Sequence, residues 1–580
     1  AQGPDYLQPL GVPHARGTAA MARGELLRLR ALLRSGFRVY CVAALAHALG
    51  RFLRSCLAAR RQRWLLRDVP SIKCPSHRFF GHLPDLITNL KRLHHWREET
   101  VRGLPVAKFL GPCWSADACG LFVKDPIVIR HFLKDAFDKY SKFSPERDFV
   151  VRYMNQFLGN GIFTAMHGEG ASDKGEHWQR ERKTASMIFS RKNFKTGMHE
   201  IFIAKAKRLS CLLNAGETTD MQLHFFNFTM DSIMKILFGV TSDQLGGEDN
   251  TYAKNYDIAH RCFFEFGASN LGVYEAVRFL PWPFGGSGGL AVQAMQWFSP
   301  VYQEFRKSLR ALDTESFRLI EACRADPKLA ERADLLALFV QSEDEQKLTT
   351  KGLRDTVLNF IIAGRDTTAC LLSWMFYILA THPDLQRRIT EEVDQTQPGG
   401  AEPTFDSLKP EKVPLLHALL YETLRLYPPV PFDGKECYAA DVLPDGTHVP
   451  VGTAMIFLPY AMGRDPDVWP DPEVVRLERW IPFSAPAQHE FPVFQAGPRY
   501  CLGAEMAVFE AKVAAAIILQ DWTFTLAPGE AEKIHYAATL TMSVCNSKEQ
   551  DSHNLWLIPE PRRNLSDSWH VTDPPSSVRS

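Results

Sequence analysis

Apolar residues recur along much of the chain with the three- and four-residue spacing of amphipathic α-helices. The spacing covers most of residues 194–345, apart from interruptions at Gly246-Gly247 and Pro281–Gly289. It returns from about Leu353 to Ala380 and again from Ala504 to Leu519. Because these stretches are long enough for several helical turns, the pattern predicts a mainly helical protein.

Two short runs near the start differ from this pattern. Val106–Leu110 and Gly120–Val123 have the length and residue types of short strands. Before them, proline and glycine punctuate Pro70–Pro75 and Phe80–Pro84 without a helical period, which predicts a hinge into the main domain. The fold class predicted is therefore mainly α with a smaller β region.

The chain of 580 residues is long enough for several domains. No repeat of fixed period and no low-complexity linker divides it, so we predict one large domain over residues 66–560. Residues 1–65 form a leader of different composition. Residues 561–580 are polar and contain prolines, which predicts a disordered tail.

Charge is distributed unevenly between the leader and the main domain. Residues 1–65 contain eleven arginines, no lysine and only two acids, Asp5 and Glu25, for a net charge of +9. Since the whole chain carries +1, residues 66–580 carry −8. A protein that tracks a phosphate backbone needs a basic surface, so we expect no nucleic-acid partner for the main domain.

The basic leader surrounds an apolar stretch, Val39–Gly50, of about 12 residues, shorter than the ~20 that span a bilayer. Flanking arginines such as Arg38 and Arg51 would extend it by snorkelling, or it would lie in the interface as an amphipathic helix. An arginine-rich, acid-poor leader also fits an organelle transit peptide, and a plain soluble helix is a third interpretation. The sequence does not begin with methionine, so Met21 is a candidate start and residues 1–20 a candidate processed segment.

Twelve cysteines are scattered singly without a Cys-x-x-Cys pair, which predicts reduced thiols and no zinc motif. One of them, Cys501, lies in the string Phe494–Gly503, just before the predicted helix. Gly497 would let the backbone turn tightly under a flat cofactor, and Arg499 would pair with a carboxylate. Gly503 would admit the chain into the helix. An ordinary buried cysteine is the alternative for this position.

A second unusual string, Asn359–Thr368, lies inside a predicted helix. Glycine at 364 costs ~1 kcal/mol relative to alanine, and threonine hydroxyls compete for backbone carbonyls. Residues that are unfavourable inside a long helix, such as these, suggest a functional site. Ala363 and Gly364 would leave room over a flat ligand, and Thr367 would bond the carbonyl of Ala363 and open a pocket for dioxygen. Asp366 beside Thr367 would relay protons.

Two polar pairs occur at helical spacing. Trp178 and Arg182 are four residues apart, so the indole N–H and the guanidinium would reach the same carboxylate. Glu422 and Arg425 are three residues apart, and Arg479 would join them in a buried network. Taken alone, either pair is also common on an ordinary helix surface.

Together these strings resemble the cytochrome P-450 superfamily. Phe494–Gly503 matches every fixed position of its haem-binding signature Phe-x-x-Gly-x-Arg-x-Cys-x-Gly. Ala363–Thr368 matches its distal-helix motif, and Trp178/Arg182 and Glu422/Arg425 match its Trp-x-x-x-Arg and Glu-x-x-Arg patterns. The four motifs follow the family's order along the chain.

The segment before Arg479 departs from the family's Pro-x-x-Phe-x-Pro-Glu-Arg-Trp pattern. Val475 stands where the pattern has phenylalanine, and Leu477 stands where it has proline. These departures put the local packing there in doubt, but they do not affect the haem signature.

The resemblance implies the cytochrome P-450 fold around haem b, with Cys501 as the iron ligand. The haem-binding residues it implies are Trp178, Arg182, Phe494, Gly497, Arg499, Cys501 and Gly503. The residues it implies for proton delivery are Asp366 and Thr367, and those for the structural network are Glu422, Arg425 and Arg479.

The activity implied is monooxygenation, the insertion of one oxygen atom of O2 into a lipophilic substrate. No flavin or dinucleotide motif follows Gly503, so electrons are expected from NADPH through a separate cytochrome P-450 reductase or another donor. With Arg365 inside the distal motif, and with Arg182–Ser190 and Lys435–Gly446, the chain looks most like the fatty-acid ω-hydroxylase branch of plants, algae and fungi. Substrate-wall residues are then expected at Phe360, Ala363, Val430 and Phe432.

Two other functions fit a haem-thiolate protein. One is an isomerase or dehydratase of lipid hydroperoxides, and the other is a non-catalytic haem-binding sensor or carrier. Neither needs the acid and alcohol at Asp366 and Thr367, which favours the monooxygenase. The expected location is the endoplasmic reticulum membrane with the catalytic domain in the cytosol, or a chloroplast or mitochondrion if the leader is a transit peptide.

Overall fold

The structure, a computed structural model, describes most of the chain. The described residues are 16–115, 119–145, 148–189, 197–247, 251–281, 283–286, 288–332, 334–346, 348–548, 550 and 552–562. The predicted tail at 561–580 lies almost wholly outside these ranges, as do residues 1–15 of the leader.

α-Helices make up most of the described chain, as the periodicity predicts. They begin with α1 (Arg16–Leu65), α2 (Leu83–Thr88), α3 (Leu93–Val101), α4 (Pro126–Arg130), α5 (Phe149–Leu158), α6 (Glu176–Ile188), α7 (His199–Leu212), α8 (Met221–Phe238) and α9 (Thr251–Val277). They continue with α10 (Leu290–Phe298), α11 (Pro300–Arg324), α12 (Leu335–Gln341), α13 (Glu343–Gln346), α14 (Thr350–Thr381), α15 (Pro383–Thr396), α16 (Pro414–Leu426), α17 (Pro459–Met462) and α18 (Ala504–Asp521). The predicted interruptions at Gly246-Gly247 and Pro281–Gly289 fall before and after α9.

The described strands form small sheets that join distant parts of the chain. The strands are β1 (Val106–Phe109), β2 (Gly120–Val123), β3 (Tyr140–Ser141), β4 (Thr219–Asp220), β5 (Asp433–Cys437), β6 (Asp441–Val442), β7 (His448–Val449), β8 (Ala454–Phe457), β9 (Trp522–Leu526), β10 (His535–Tyr536), β11 (Val544–Cys545) and β12 (Trp556–Pro561). The largest sheet has the order β1-β2-β8-β5-β3 and the next has the order β4-β12-β9, while β6 pairs with β7 and β10 with β11.

The largest sheet contains both predicted strands. β2 pairs in parallel with β8, with Gly120 opposite Ala454, and the other neighbours in this sheet run antiparallel. The strand predicted at Val106–Leu110 ends one residue earlier, at Phe109, and the second is confirmed as predicted. The fold class, mainly α with a smaller β region, is therefore confirmed.

α14 crosses the centre of the molecule and is buried along nearly its whole length between α8, α11, α16 and α18. Thr349 caps its N-terminus by accepting a hydrogen bond from the Gly352 N–H. Thr229 of α8 donates to the Arg365 carbonyl at 3.0 Å. The helix predicted from Leu353 to Ala380 is confirmed, and it places the second string in the core.

α1 docks one face of its C-terminal half on the main domain. Ala48, Ala59 and Gln62 are buried on that face, and Ser55 donates to the Trp114 carbonyl at 2.6 Å. The segment Phe37–Leu65 is long and apolar enough to cross a membrane by length and composition. The apolar stretch found in the sequence is therefore the middle of a longer helix, whose end belongs structurally to the main domain.

Candidate active site

An apolar cavity of about 630 Å³ connects the cysteine string with the N-terminal part of the domain. The cavity is lined by Cys501 and by Thr367 of α14. It is also lined by Leu83 and Ile87 of α2 and by residues of α3. One continuous cavity of this kind accommodates a flat cofactor and an elongated apolar ligand together.

The loop Phe494–Gly503 holds Cys501 against this cavity. The Cys501 N–H donates to the Phe494 carbonyl at 2.9 Å, which closes the loop. Gly497 has φ +66°, and a Cβ at this position would lie 2.3 Å from the Leu133 carbonyl oxygen. A side chain at 497 is therefore excluded both by backbone conformation and by space.

Cys501 is exposed in the structure and lines the cavity. Desolvation raises its pKa, while a hydrogen bond from the Gly503 N–H and the positive charge of Arg182 act in the opposite direction. Gly503 stands at the N-terminus of α18, where free N–H groups favour negative charge. The position is built to stabilise a thiolate that is bound to a cation.

Arg499 is buried beside Cys501, and none of the described acids forms an ion pair with it, although the charge of Asp433 acts on it. It donates to the carbonyls of Ile162 and Ala165 and to Nδ1 of His167 at 2.9 Å, and its guanidinium lies 4.5 Å above the Trp178 ring. Burial lowers its pKa to about 9. No described residue accepts a hydrogen bond from its Nε.

Lys435 of β5 is a second buried cation at this site, and it was not predicted from the sequence. It is 1% exposed, and within the described chain its Nζ has no hydrogen-bond partner. Burial lowers its pKa well below the ordinary value, and the nearby charges of Lys142 and Arg499 lower it further. Asp433 is the acid that acts on it, and that carboxylate is shared with Lys142 at 3.1 Å.

Arg182 and Arg499, which both lie near Trp178, add to this excess of positive charge. Trp178 and Arg182 both lie in α6 and line the cavity, with the Arg182 guanidinium 5.9 Å from the Trp178 ring. Arg182 donates to the Tyr500 carbonyl, next to Cys501. Buried charges require an opposite charge. A group with two carboxylates, such as haem, fits the set of Arg182, Lys435 and Arg499.

α14 contributes the opposite wall. Thr367 lines the cavity, and its Oγ1 donates to the Ala363 carbonyl at 2.7 Å, as expected from the sequence. Gly364 has a packing role in addition to the one expected. A Cβ there would lie 2.1 Å from Cδ1 of Ile233, so the glycine also lets α8 approach.

Asp366 points away from the cavity, toward α9. Its carboxylate accepts a hydrogen bond from Arg365 Nη1 at 3.0 Å, and its Oδ2 lies 3.2 Å from Nδ1 of His260. Desolvation raises its pKa, opposed by the positive charge of Arg365. The Arg365 guanidinium also binds Asp257 at 2.6 and 3.0 Å, and Asp257 is 55% exposed. This chain of charges connects the surface with the residue next to Thr367.

Glu422 and Arg425 form a fully buried ion pair in α16. Arg425 donates to both Glu422 oxygens at 2.8 Å, and Trp480 Nε1 donates to Glu422 Oε2 at 2.9 Å. Arg479 lies nearby, with Nε 3.4 Å from Glu422 Oε1. The three residues expected to share a network thus lie together. Leu477, which departs from the family pattern, is buried in the core.

The expected wall residues all face the cavity. Phe360, Ala363, Val430 and Phe432 line it, together with Phe494 of the cysteine loop. Two further residues, Lys435 and Arg97, were missed. The sequence shows that they are charged but gives no signal that they are buried, because their surroundings come from distant elements.

Comparisons with known proteins agree with this geometry. The family model described as Cytochrome P450 matches residues 121–551. Cytochrome P450 704C1 of Pinus taeda is 30% identical over 552 residues, covering 89% of this chain and 97% of the relative. Cytochrome P450 CYP94D108 of Paris polyphylla is 31% identical over 463 residues, covering 77% and 86%. Cytochrome P450 monooxygenase cyp1 of Mycosarcoma maydis is 30% identical over 422 residues, covering 67% and 60%.

Proposed function

The chain belongs to the cytochrome P450 family and is a haem-thiolate monooxygenase, and we propose that it hydroxylates a medium- or long-chain fatty acid at or near the methyl end. The observation that carries the proposal is the single apolar cavity that Cys501 and Thr367 share with α2 and α3. A long hydrocarbon chain fills such a space and keeps its polar end away from the cysteine. The Arg365-containing motif of α14 supports the same branch of the family.

The protein's part begins with holding the cofactor, which we propose is haem b. Haem supplies, when bound, the activation of dioxygen and the transfer of one oxygen atom into a C–H bond. Cys501 provides the thiolate, and the loop Phe494–Gly503 fixes its direction. Arg182, Lys435 and Arg499 neutralise the carboxylates of the cofactor, since none of the three has an acidic partner that binds it alone.

Proton supply falls to the residues of α14. The Thr367 hydroxyl faces the cavity, and its bond to the Ala363 carbonyl orients its oxygen. Asp366, held between Arg365 and His260, is the acid of this supply, while Arg365 stays charged and binds both Asp366 and the exposed Asp257. Phe360, Val430 and Phe432 keep water out of the space between these groups and the substrate.

A monooxygenase of this family requires a redox partner, and we propose a separate NADPH-dependent cytochrome P450 reductase. For the location we propose the endoplasmic reticulum membrane, anchored by α1. Leu45, Leu49, Leu53 and Leu57 form an exposed apolar stripe on the undocked face of α1. Further exposed apolar residues of the main domain are Phe79, Phe80, Ile87, Val273, Leu280, Phe284, Leu290, Trp297 and Phe298.

Carbon monoxide difference spectra of the full chain test the haem-thiolate assignment. Cys501→Ser is expected to lose the thiolate-haem band and all turnover, because an alcohol is not a thiolate donor. Cys211→Ser is the matched control, since Cys211 is exposed and does not line the cavity. A Cys501→Ser protein that kept the parent's band would show that another cysteine is the ligand.

Titration of the haem-loaded protein with fatty acids of increasing length tests the substrate class. Binding of the correct chain is expected to shift the Soret band. A sterol and a terpene serve as comparison ligands. If one of these shifts the band while no fatty acid does, the monooxygenase stands and the fatty-acid proposal is rejected.

A further inference from the structure

Arg97 of α3 is a cation on the cavity wall that the reaction described above does not use. It lies between α3, β2 and the loop after α16, with its guanidinium 3.9 Å from the Phe432 ring and 5.7 Å from the Phe122 ring. Nε and Nη1 are shielded from solvent, and the rest of the side chain lines the cavity. The two aromatic rings therefore hold the guanidinium in one place.

No acid neutralises Arg97 within the part of the chain that the structure describes. Nε and Nη1 have no hydrogen-bond acceptor, and the side chain forms no ion pair. Burial lowers its pKa to about 9, so it still carries its positive charge at pH 7. A buried guanidinium without acceptors costs stability, and such a cost is retained where a ligand supplies the missing anion.

We propose that Arg97 binds the carboxylate of the fatty-acid substrate and thereby determines which end of the chain reaches Cys501. The inference rests on the proposed function and extends it to a specificity-determining residue. A guanidinium presents a planar fork of donors that matches a carboxylate. The hydrocarbon then extends along the apolar cavity toward Thr367, and the methyl end meets the cofactor.

The carboxylates of the cofactor are the other candidate anions for Arg97. They are already matched by Arg182, Lys435 and Arg499, which surround the cysteine loop. Arg97 instead lies against Phe122 and Phe432, two side chains of the apolar group packed between α3 and the largest sheet. The substrate carboxylate is therefore the anion left for Arg97, and the experiment separates the two sources.

The test compares the haem-loaded full-length protein with Arg97→Gln, Arg97→Lys and Arg92→Gln. Each protein is titrated with dodecanoic acid and with methyl dodecanoate, followed by the Soret shift and by calorimetry. Arg92, just before α3, is the matched control, because its side chain is 50% exposed and pairs with Glu99 on the surface. Haem content and the position of hydroxylation are measured on the same samples.

Arg97→Gln is expected to weaken binding of the acid by roughly 10- to 100-fold and to leave binding of the ester unchanged. Arg97→Lys is expected to keep part of the preference for the acid, and Arg92→Gln all of it. Hydroxylation by Arg97→Gln should spread inward from the methyl end. The thermal stability of Arg97→Gln should equal or exceed that of the parent, because Arg97 has no described hydrogen-bond acceptor or acid to lose.

Three results would overturn the inference. Equal affinity of the parent for acid and ester would show that no cation binds the carboxylate. The fatty-acid proposal would still stand. A loss of haem from Arg97→Gln with an unchanged acid-to-ester ratio would assign Arg97 to the cofactor. If the parent bound neither ligand, the proposed function itself would fail and the inference would fail with it.

Discussion

At the scale of single residues, Glu181 of α6 shows how burial changes protonation. The side chain is 2% exposed, and both the hydrogen bond that it accepts from Thr356 and its contact with His177 Nε2 are long, at 3.5 Å. Desolvation raises its pKa from 4.5 to about 8, and the charge of Asp355 raises it further in the same direction. The folded protein therefore carries this carboxyl in its protonated form at neutral pH.

A pH-dependent stability follows from this shift. Between pH 4.5 and about 8 the folded state binds a proton that the unfolded state releases, so stability falls as pH rises through this range. Relative to Glu181→Gln, the parent should lose up to about 1.4 kcal/mol per pH unit. Thermal unfolding across this range measures the difference. Glu176→Gln, exposed on the same helix, should show no such trend, and a flat difference for Glu181→Gln would refute the assignment.

Asp366 gives a second residue-scale prediction. Asp366→Asn keeps the shape of the side chain but removes the acid between Arg365 and Thr367. We expect product formation to fall by at least about tenfold at unchanged substrate affinity. The measurement is product formed per NADPH consumed, with Asp313→Asn as a control at another arginine-bound acid of the structure. Unchanged coupling would remove Asp366 from the proton route.

The site residues that could be predicted are those that lie in a short sequence motif. Cys501 lies in a ten-residue string that matches a family signature, and Thr367 has its hydrogen-bond acceptor four residues away, at Ala363. Lys435 and Arg97 could not be predicted, because burial without a counter-charge depends on elements far apart in the chain. A lysine in a short strand and an arginine in a short helix are otherwise ordinary surface residues.

At the scale of elements, the ion pair of α16 connects the helix with the loop before the cysteine string. Glu422 accepts hydrogen bonds from Arg425, from Trp480 and from the Arg476 N–H at 2.9 Å. Arg425 also donates to the carbonyls of Gly463 and Pro472. The pair thus joins three segments that would otherwise be held only by packing.

Glu422→Gln should therefore destabilise the protein strongly. It leaves the Arg425 charge buried without its partner, which costs about 3–5 kcal/mol. Thermal unfolding and haem retention measure the effect, and Glu478→Gln is the control because Glu478 is exposed in the same segment. A loss below 1 kcal/mol, of the size typical of exposed pairs, would mean that the network relaxes around the change.

Helices and strands with a clear period were predicted to within a few residues, as α14 and β2 show. The docking of the C-terminal part of α1 on the main domain was not predicted, because its docked face mixes small and polar residues such as Ala59 and Gln62. The docked face of α1 can be recognised only when the surface of the main domain that it packs against is known. A leader that looks separate in composition therefore shares its last turns with the domain.

At the scale of the whole molecule, two deletions distinguish the anchoring part of α1 from its docked part. A variant without residues 1–44 keeps the docked face, so it should fold like the parent and partition less into membranes. A variant without residues 1–68 also loses Ala59 and Leu66, both fully buried, and should be less stable by about 3 kcal/mol. Membrane flotation and thermal unfolding measure both effects. Full membrane association of the shorter deletion would show that residues 1–44 are not needed for anchoring, since Leu45, Leu49, Leu53 and Leu57 remain in it.

The order of strands in the largest sheet also determines when this sheet can form during translation. β2 ends at Val123, and its parallel partner β8 begins at Ala454, about 330 residues later. At ~5–20 residues per second, a ribosome needs roughly 15 to 65 seconds to supply that partner. During this interval the edge of β2 is unpaired while α1 has already emerged. We therefore expect this edge to need protection, by chaperones or by the membrane surface, until β8 has been made. Cys501 follows β8 in the chain, so haem capture comes later still.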